Sequence, residues 1–228
     1  MNVVFFDVET TGLNPVSDKV IELAYYVCNR NGVCYSNDYL IHHDGLKLSD
    51  EIVDLTGITN SMLIKHGTDE KFVAGELFKE LGTLHNKVWV AHNTQFDLSF
   101  IKQLLLNHIS KDKVDEVLSN VYWLDTLTIL RDRKSYPHTL KDMVKHYLPN
   151  NDFQFHRAID DARAVCECLP LMIKERDDLK DYVNLFGYHP TYGVSGEKHS
   201  FIEYHKQAFT TGKVAYKNSL PNKVGCVR

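Results

Sequence analysis

Four carboxylates and one histidine, in three segments far apart in the sequence, constrain the fold of this chain most strongly. Asp7 and Glu9 end an apolar run near the first residue. Asp97 follows a second apolar run, and His156 and Asp161 lie five residues apart in a third segment. Because gathered carboxylates repel one another, a fold that assembles them needs a compensating positive charge. Ligation by oxygen atoms favours hard divalent cations, Mg²⁺ or Mn²⁺.

The first part of the sequence is typical of an antiparallel β-meander. Apart from Asp7, residues 3–8 are apolar and either β-branched or aromatic, which predicts a strand buried on both faces. Residues 19–28 and 33–42 are two further strand candidates. The Asn31-Gly32 pair between them is a strong hairpin signal. The pattern therefore predicts three consecutive antiparallel strands.

Strand and helix patterns alternate after the meander. Short apolar runs at residues 88–91 and 121–125 predict two buried strands. Periodicity and capping signals predict helices over residues 69–84, 96–107, about 126–130, 140–147 and 158–174, and a loop over residues 55–59. We expect an α/β fold with a mixed five-stranded sheet, an antiparallel meander of three strands plus two parallel strands, flanked by helices.

The predicted elements place the first three carboxylates at one edge of the sheet. Asp7 and Glu9 are two residues apart on a strand, so their side chains leave the same face. Asp97 follows a strand at the start of a helix, where α/β proteins build their sites. The alternatives are an exposed acidic strand end and a helix-start aspartate favoured by the dipole. His92 and Asn93 are predicted to shape the loop or contact substrate.

The third segment supplies a histidine on a loop and an aspartate in the first turns of a helix. His156 precedes the predicted helix, and Asp161 faces inward from it, while Asp160 is expected to point away by about 100°. Imidazoles change charge near neutral pH, which suits a general base that takes a proton from water. The alternative for His156 is a surface loop residue. Two divalent ions beside a histidine are typical of phosphodiester cleavage.

The turn after Glu9 is a candidate substrate contact. The backbone and hydroxyl groups of Thr10 and Thr11 are suited to hold a 3′-terminal nucleotide, and Leu13 could pack on its base. An ordinary turn is the alternative.

Composition changes near residue 186, which divides the chain into residues 1–186 and an appendage over residues 187–228. The formal net charge is −4, yet residues 188–228 hold six basic and two acidic side chains. An acidic body with bound metal ions can bind one end of a nucleic acid. Its charge does not favour tight binding of a long duplex. The appendage could stack single-stranded bases, dock a partner or be a small structural unit; its aromatic residues are Tyr188, Tyr192, Phe201, Tyr204, Phe209 and Tyr216.

The cysteines and the hydropathy pattern predict a cytoplasmic setting. The five cysteines are odd in number and lack zinc-ligand spacing, as expected in a reducing intracellular compartment. No run approaches the roughly 18 apolar residues of a membrane span, so no membrane partner is expected. The sequence does not indicate an oligomeric state.

Together the three segments resemble the DEDDh family of 3′→5′ exonucleases, which includes the proofreading epsilon subunit of bacterial DNA polymerase III, ribonuclease T and oligoribonuclease. The pattern Asp-x-Glu-Thr-Thr-Gly-Leu occurs at residues 7–13, His-Asn-x-x-Phe-Asp at 92–97 and His-x-Ala-x-x-Asp at 156–161. A sister class has tyrosine four residues before the last aspartate, where this sequence has Arg157. The resemblance covers about residues 1–176.

The resemblance implies an RNase H-like fold and two divalent ions, Mg²⁺ or Mn²⁺, held by Asp7, Glu9 and Asp161, with Asp97 completing the site. It also implies that His156 activates water for in-line attack on the terminal phosphodiester, releasing a 5′-mononucleotide.

The leading functional hypothesis is a 3′→5′ exonuclease for single-stranded or frayed DNA ends, acting in proofreading or repair with a DNA polymerase subunit as a candidate partner. An exoribonuclease that trims RNA ends is the nearest rival. A non-catalytic nucleic-acid-binding module on the same fold is the rival from another class.

Overall fold

A mixed sheet forms the centre of the fold. The computed structural model describes residues 2–83, 87–151 and 153–207. In these ranges the strands of the central sheet are β1 (Asn2–Thr10), β2 (Val20–Asn29), β3 (Gly32–His42), β4 (Thr68–Asp69), β5 (Lys87–Ala91) and β6 (Tyr122–Asp125). Their order is β4-β3-β2-β1-β5-β6, in which β1, β2 and β3 are antiparallel and β5 and β6 run parallel to β1.

Helices cover both faces of this sheet. They are α1 (Asp50–Thr56), α2 (Asn60–His66), α3 (Glu70–Gly82), α4 (Thr94–Leu106), α5 (Lys111–Ser119), α6 (Thr126–Arg133), α7 (Leu140–Tyr147) and α8 (Ala158–Glu175). A 3₁₀ helix (Leu179–Tyr182) leads to a separate parallel pair, β7 (Leu185–Tyr188) and β8 (Glu203–Lys206). In the described part of the chain, no helix is both long and apolar enough to cross a membrane.

The predicted α/β class and mixed sheet are confirmed, but the sheet has a sixth strand. β4 has two residues and pairs in parallel with the end of β3. A strand of this length gives no periodic signal, so its place depends on the packing around it.

The loop predicted over residues 55–59 is wrong at its start, because α1 continues to Thr56. The side chains of Ser49 and Thr59 cap α1 and α2, and Gly57 ends α1 with a φ of 70°. Ile58, between the two helices, is fully buried. Two helices of seven residues each are too short to show clear periodicity, and caps and burial stabilise them.

Side-chain alternation along β1 separates two apolar layers. Val4 and Phe6 belong to the layer beneath α3, α4 and α5, which also contains both tryptophans. Phe5 belongs to the opposite layer, beneath α7 and α8. Because alternate residues of a strand share a face, Asp7 and Glu9 lie on the α8 side of the sheet. The apolar strand thus ends in two carboxylates beneath the helix that carries Asp161.

The described part of the appendage packs against the body. Phe186 and Ile202 are buried in the same layer as the tryptophans, and Phe201 and Tyr204 pack at its margin. The predicted boundary at residues 186 and 187 stays a prediction. Phe209 and Tyr216 lie outside the described residues.

Candidate active site

The four predicted carboxylates and His156 line one cleft of about 920 Å³. Helix α8 packs on β1 and β2, which brings its first turn over the acidic end of β1. One ligand atom from each of Glu9, His156 and Asp161 lies within 4.8 Å of the other two. The structure therefore brings together side chains that are separated by up to about 150 residues in the sequence.

Asp97 reaches the cleft from the opposite helical layer. Helix α4 starts at Thr94, two residues earlier than predicted, after Asn93 in the left-handed region with a φ of 73°. The backbone N–H of Val8 donates to Asp97 Oδ1 at 3.2 Å. Val8 lies between Asp7 and Glu9 on β1, so this bond fixes the buried Asp97 carboxylate beside those two residues.

Burial and mutual repulsion disfavour ionisation of this cluster. Burial raises the pKa of Asp7 well above its usual range, and the charges of Asp97, Asp161 and Glu9 add to the effect. Burial, followed by the charges of Asp161 and Glu22, raises the pKa of Glu9 to about 8. Burial also raises the pKa of Asp161 to about 7 and that of Asp97 well above its ordinary value. Positive charge in the cleft would reverse these shifts.

The donor atoms fit a divalent cation. Asp161 Oδ2 accepts the backbone N–H of His156 at 3.2 Å, whereas the buried Oδ1 has no hydrogen-bond partner among the described residues. A buried carboxylate oxygen is costly without a donor or a cation. Glu9, Asp161, Asp7 and Asp97 supply the oxygen ligands that Mg²⁺ and Mn²⁺ prefer.

We predict that the metal-free protein loses stability as pH rises from about 4 to about 8. A carboxyl whose pKa is raised on folding binds protons more tightly when folded. Its stabilising effect is present below the unfolded pKa and is lost as pH approaches the folded value, about 8 for Glu9 and about 7 for Asp161. A loss of about 2 kcal/mol would lower Tm by about 4–8 °C.

The measurement is Tm in EDTA and in Mg²⁺ at about pH 5 and about pH 8. We expect Mg²⁺ to raise Tm more at the higher pH, because the ion binds ionised carboxylates. A metal-free Tm that rises through this interval would contradict the assigned electrostatics.

Glu22 and Arg157 hold the start of α8, a role that the sequence motifs did not predict. Glu22 is fully buried on β2, opposite Glu9 in the strand register. Its carboxylate accepts hydrogen bonds from Arg157 Nε at 3.0 Å and from the backbone N–H of Ala158 at 2.8 Å. The available signal was a single acidic residue within an otherwise apolar strand. This ion pair fixes the loop residue His156, whose φ is 67°.

His92 and Asn93 line the cleft and shape its loop. The His92 ring donates from Nε2 to the backbone oxygen of His138 at 2.9 Å, while Nδ1 lies 3.1 Å from Thr126 Oγ1. The N–H of Asn93 donates to Asp125 Oδ1 at 2.9 Å. Asp125 also accepts hydrogen bonds from two N–H groups of α6 and so caps that helix.

The turn after Glu9 uses its hydroxyl groups internally. Thr10 Oγ1 donates to the backbone oxygen of Gly12 at 2.6 Å, and Thr11 Oγ1 accepts the N–H of Lys19 at 2.9 Å. Leu13 is 84% exposed. The residues that line the described cleft do not include these three side chains. Nucleotide contact by Thr10, Thr11 and Leu13 stays a prediction.

Comparison with known proteins identifies relatives of this chain. The Exonuclease family model, RNase_T, matches residues 4–169. The DNA polymerase III PolC-type of Listeria welshimeri is 34% identical over 180 residues, which are 77% of this chain and 12% of that protein. The PolC-type enzyme of Latilactobacillus sakei is 32% identical over 209 residues, 90% of this chain and 13% of that protein. The chain therefore spans only about an eighth of the length of these relatives.

Solved structures share the fold. Exonuclease I of E. coli in complex with a dA16 oligonucleotide matches with a TM-score of 0.65 and 18% identity over 79% of this chain and 42% of that chain. Another exonuclease I structure matches with a TM-score of 0.68 and 17% identity over the same shares. Fold and site define a nuclease-type domain of RNase H-like architecture. The chain belongs to the Exonuclease family.

Proposed function

We propose that this chain is a metal-dependent 3′→5′ exonuclease that hydrolyses the terminal phosphodiester of single-stranded or frayed DNA ends and releases 5′-mononucleotides. The observation that carries the proposal is the convergence of four carboxylates and His156 in one cleft. All five predicted side chains are present, which argues against a binding module without activity.

The carboxylates and the histidine have separate tasks in this mechanism. Asp7, Glu9 and Asp161 would hold divalent ions, with Asp97 completing the set. When bound, the ions stabilise negative charge on the attacking and leaving oxygens. The exposed His156 accepts the proton of the attacking water, since its loop position leaves the imidazole open to the cleft. The hydrogen bond from its backbone N–H to Asp161 holds this base beside the reacting centre.

The relatives support DNA as the substrate. They are DNA polymerases by name, and the exonuclease I of the matching structure holds a DNA oligonucleotide. We infer a proofreading or repair role, a DNA polymerase subunit as partner and an intracellular location on these grounds.

The test is a nuclease assay on 5′-labelled DNA and RNA oligomers of equal sequence, with Mg²⁺ or Mn²⁺. We expect stepwise shortening of the DNA from its 3′ end, with release of 5′-mononucleotides that chromatography identifies because they carry no label. When the same DNA oligomer is annealed to a template strand, a mismatched 3′ end should be attacked faster than a paired one. A 3′-terminal phosphorothioate serves as the control for direction. Preferential shortening of RNA would support the exoribonuclease instead, and failure to shorten either oligomer would refute the proposal.

A further inference from the structure

The cleft has an aromatic wall in addition to its acidic floor. Tyr136 and His138 enter it from the segment between α6 and α7, and His189 and Tyr192 enter it from the turn after β7. The second pair lies beyond residues 4–169, the part matched by the family model. Tyr192 is 83% exposed and Tyr136 is 75% exposed. Two large aromatic rings therefore remain uncovered at the same cleft as the carboxylates.

A buried glutamine anchors the segment that follows this turn. Gln95 is 6% exposed. Its Nε2 donates to the backbone oxygens of Ser195 at 2.8 Å and of Glu197 at 2.9 Å. Its Oε1 accepts the hydroxyl of Tyr204 at 2.8 Å. Because Gln95 lies two residues before Asp97 on α4, these bonds fix the appendage relative to a site carboxylate.

The turn itself presents two rings together. The N–H of Gly193 donates to the backbone oxygen of His189 at 2.9 Å, which closes the turn. The N–H of Thr191 donates to His189 Nδ1 at 3.0 Å and orients that imidazole. The rings of His189 and Tyr192 lie 4.6 Å apart between centroids, with an angle of 33° between their planes. The turn thus offers a paired, oriented π-surface toward the cleft.

Stacking is the interaction that this cleft can offer a nucleic acid beyond its metal site. The floor is acidic, the chain carries a formal net charge of −4, and Arg131 is the only lysine or arginine among the residues that line the described cleft. Attraction of the phosphate backbone therefore contributes little. Stacking of a base on an aromatic side chain contributes about 1–3 kcal/mol and tolerates any base. A base inside a duplex is covered on both faces by its neighbours and must be unstacked first, whereas an unpaired base can turn a face to such a ring.

We propose, on the basis of the proposed function, that Tyr192, His189 and Tyr136 stack the bases on the 5′ side of the scissile phosphodiester and so select unpaired ends. The carboxylates engage the terminal phosphodiester, and the upstream bases lie against the aromatic wall. The appendage therefore supplies the contact that distinguishes an unpaired strand from a duplex.

The test compares Tyr192→Ala with Tyr192→Phe on single-stranded DNA oligomers of increasing length. We expect Tyr192→Ala to raise KM about tenfold on oligomers longer than about five nucleotides, equivalent to about 1.4 kcal/mol, with kcat within about twofold of wild type. Tyr192→Phe keeps the aromatic ring, so its KM should remain near that of wild type. Abasic sites upstream of the terminal nucleotide should remove the difference between Tyr192→Ala and wild type. Phe72→Ala removes a ring that is 56% exposed on α3, outside the cleft, and serves as the matched control.

The outcomes separate this proposal from the proposed function. If wild type degrades DNA but Tyr192→Ala has an unchanged KM at every length, base stacking on the aromatic wall is refuted and the proposed exonuclease function is not. A loss in kcat with unchanged KM would also refute it. If wild type and Phe72→Ala both fail to degrade DNA, the proposed function itself fails. Equal Tm values for the three variants and wild type would show that folding is unaffected.

Discussion

Asp7→Asn is expected to lower kcat by at least about 10³-fold while raising the Tm of the metal-free protein. Losing one electrostatic stabiliser of a transition state costs about 10²–10³-fold, and here the change also removes one of the proposed metal ligands. Stability should rise because burial and the charges of four neighbouring carboxylates disfavour the ionised form of Asp7. Rates on a 5′-labelled DNA oligomer and melting curves in EDTA measure the two effects.

The matched control for this change is Asp160→Asn. Asp160 precedes Asp161 on α8, but it forms an ion pair with Arg163 at 3.1 Å and does not line the cleft. Its neutralisation should leave kcat near wild type. It should change the metal-free Tm less than Asp7→Asn does, because the charge of Asp160 acts on Asp161 from outside the cleft and partly exposed ion pairs contribute about 0–1 kcal/mol. Near-normal turnover by Asp7→Asn would refute the site assignment.

His156→Asn is expected to lower kcat by about 10²–10⁴-fold, the usual contribution of a general base. Asparagine is the substitution of choice because residue 156 has a φ of 67°, in the left-handed region that asparagine tolerates. Divalent metal binding should be largely retained, since the oxygen ligands remain. The kcat–pH profile should lose the acidic limb that reports protonation of the base.

Calorimetric titration with Mg²⁺ or Mn²⁺ separates a base from a ligand at this position. Loss of metal binding in His156→Asn would make the histidine a ligand, and an unchanged kcat–pH profile would exclude it as the base. His66→Asn, on the exposed end of α2, controls for the loss of an imidazole elsewhere.

Local patterns were sufficient for most elements of the fold. The apolar run before Asp7 and the Asn31-Gly32 turn each depend on neighbouring residues, and the structure has the corresponding strand and hairpin. The contrast between Asp160 and Asp161 also followed from helix periodicity, since only Asp161 lines the cleft. Weak local signals failed: β4 and the seven-residue helices α1 and α2 depend on packing.

The sequence alone thus determined which side chains meet in the cleft, because strand alternation and helix periodicity fix which carboxylates face inward. Tertiary structure alone decided what holds and surrounds them. The bond between Glu22 and Arg157 joins residues 135 apart, and that between Gln95 and Ser195 joins residues 100 apart. Contacts between residues so far apart in sequence produce no periodic pattern, because each partner is a single polar residue in its own segment. Only folding places the two side chains next to each other.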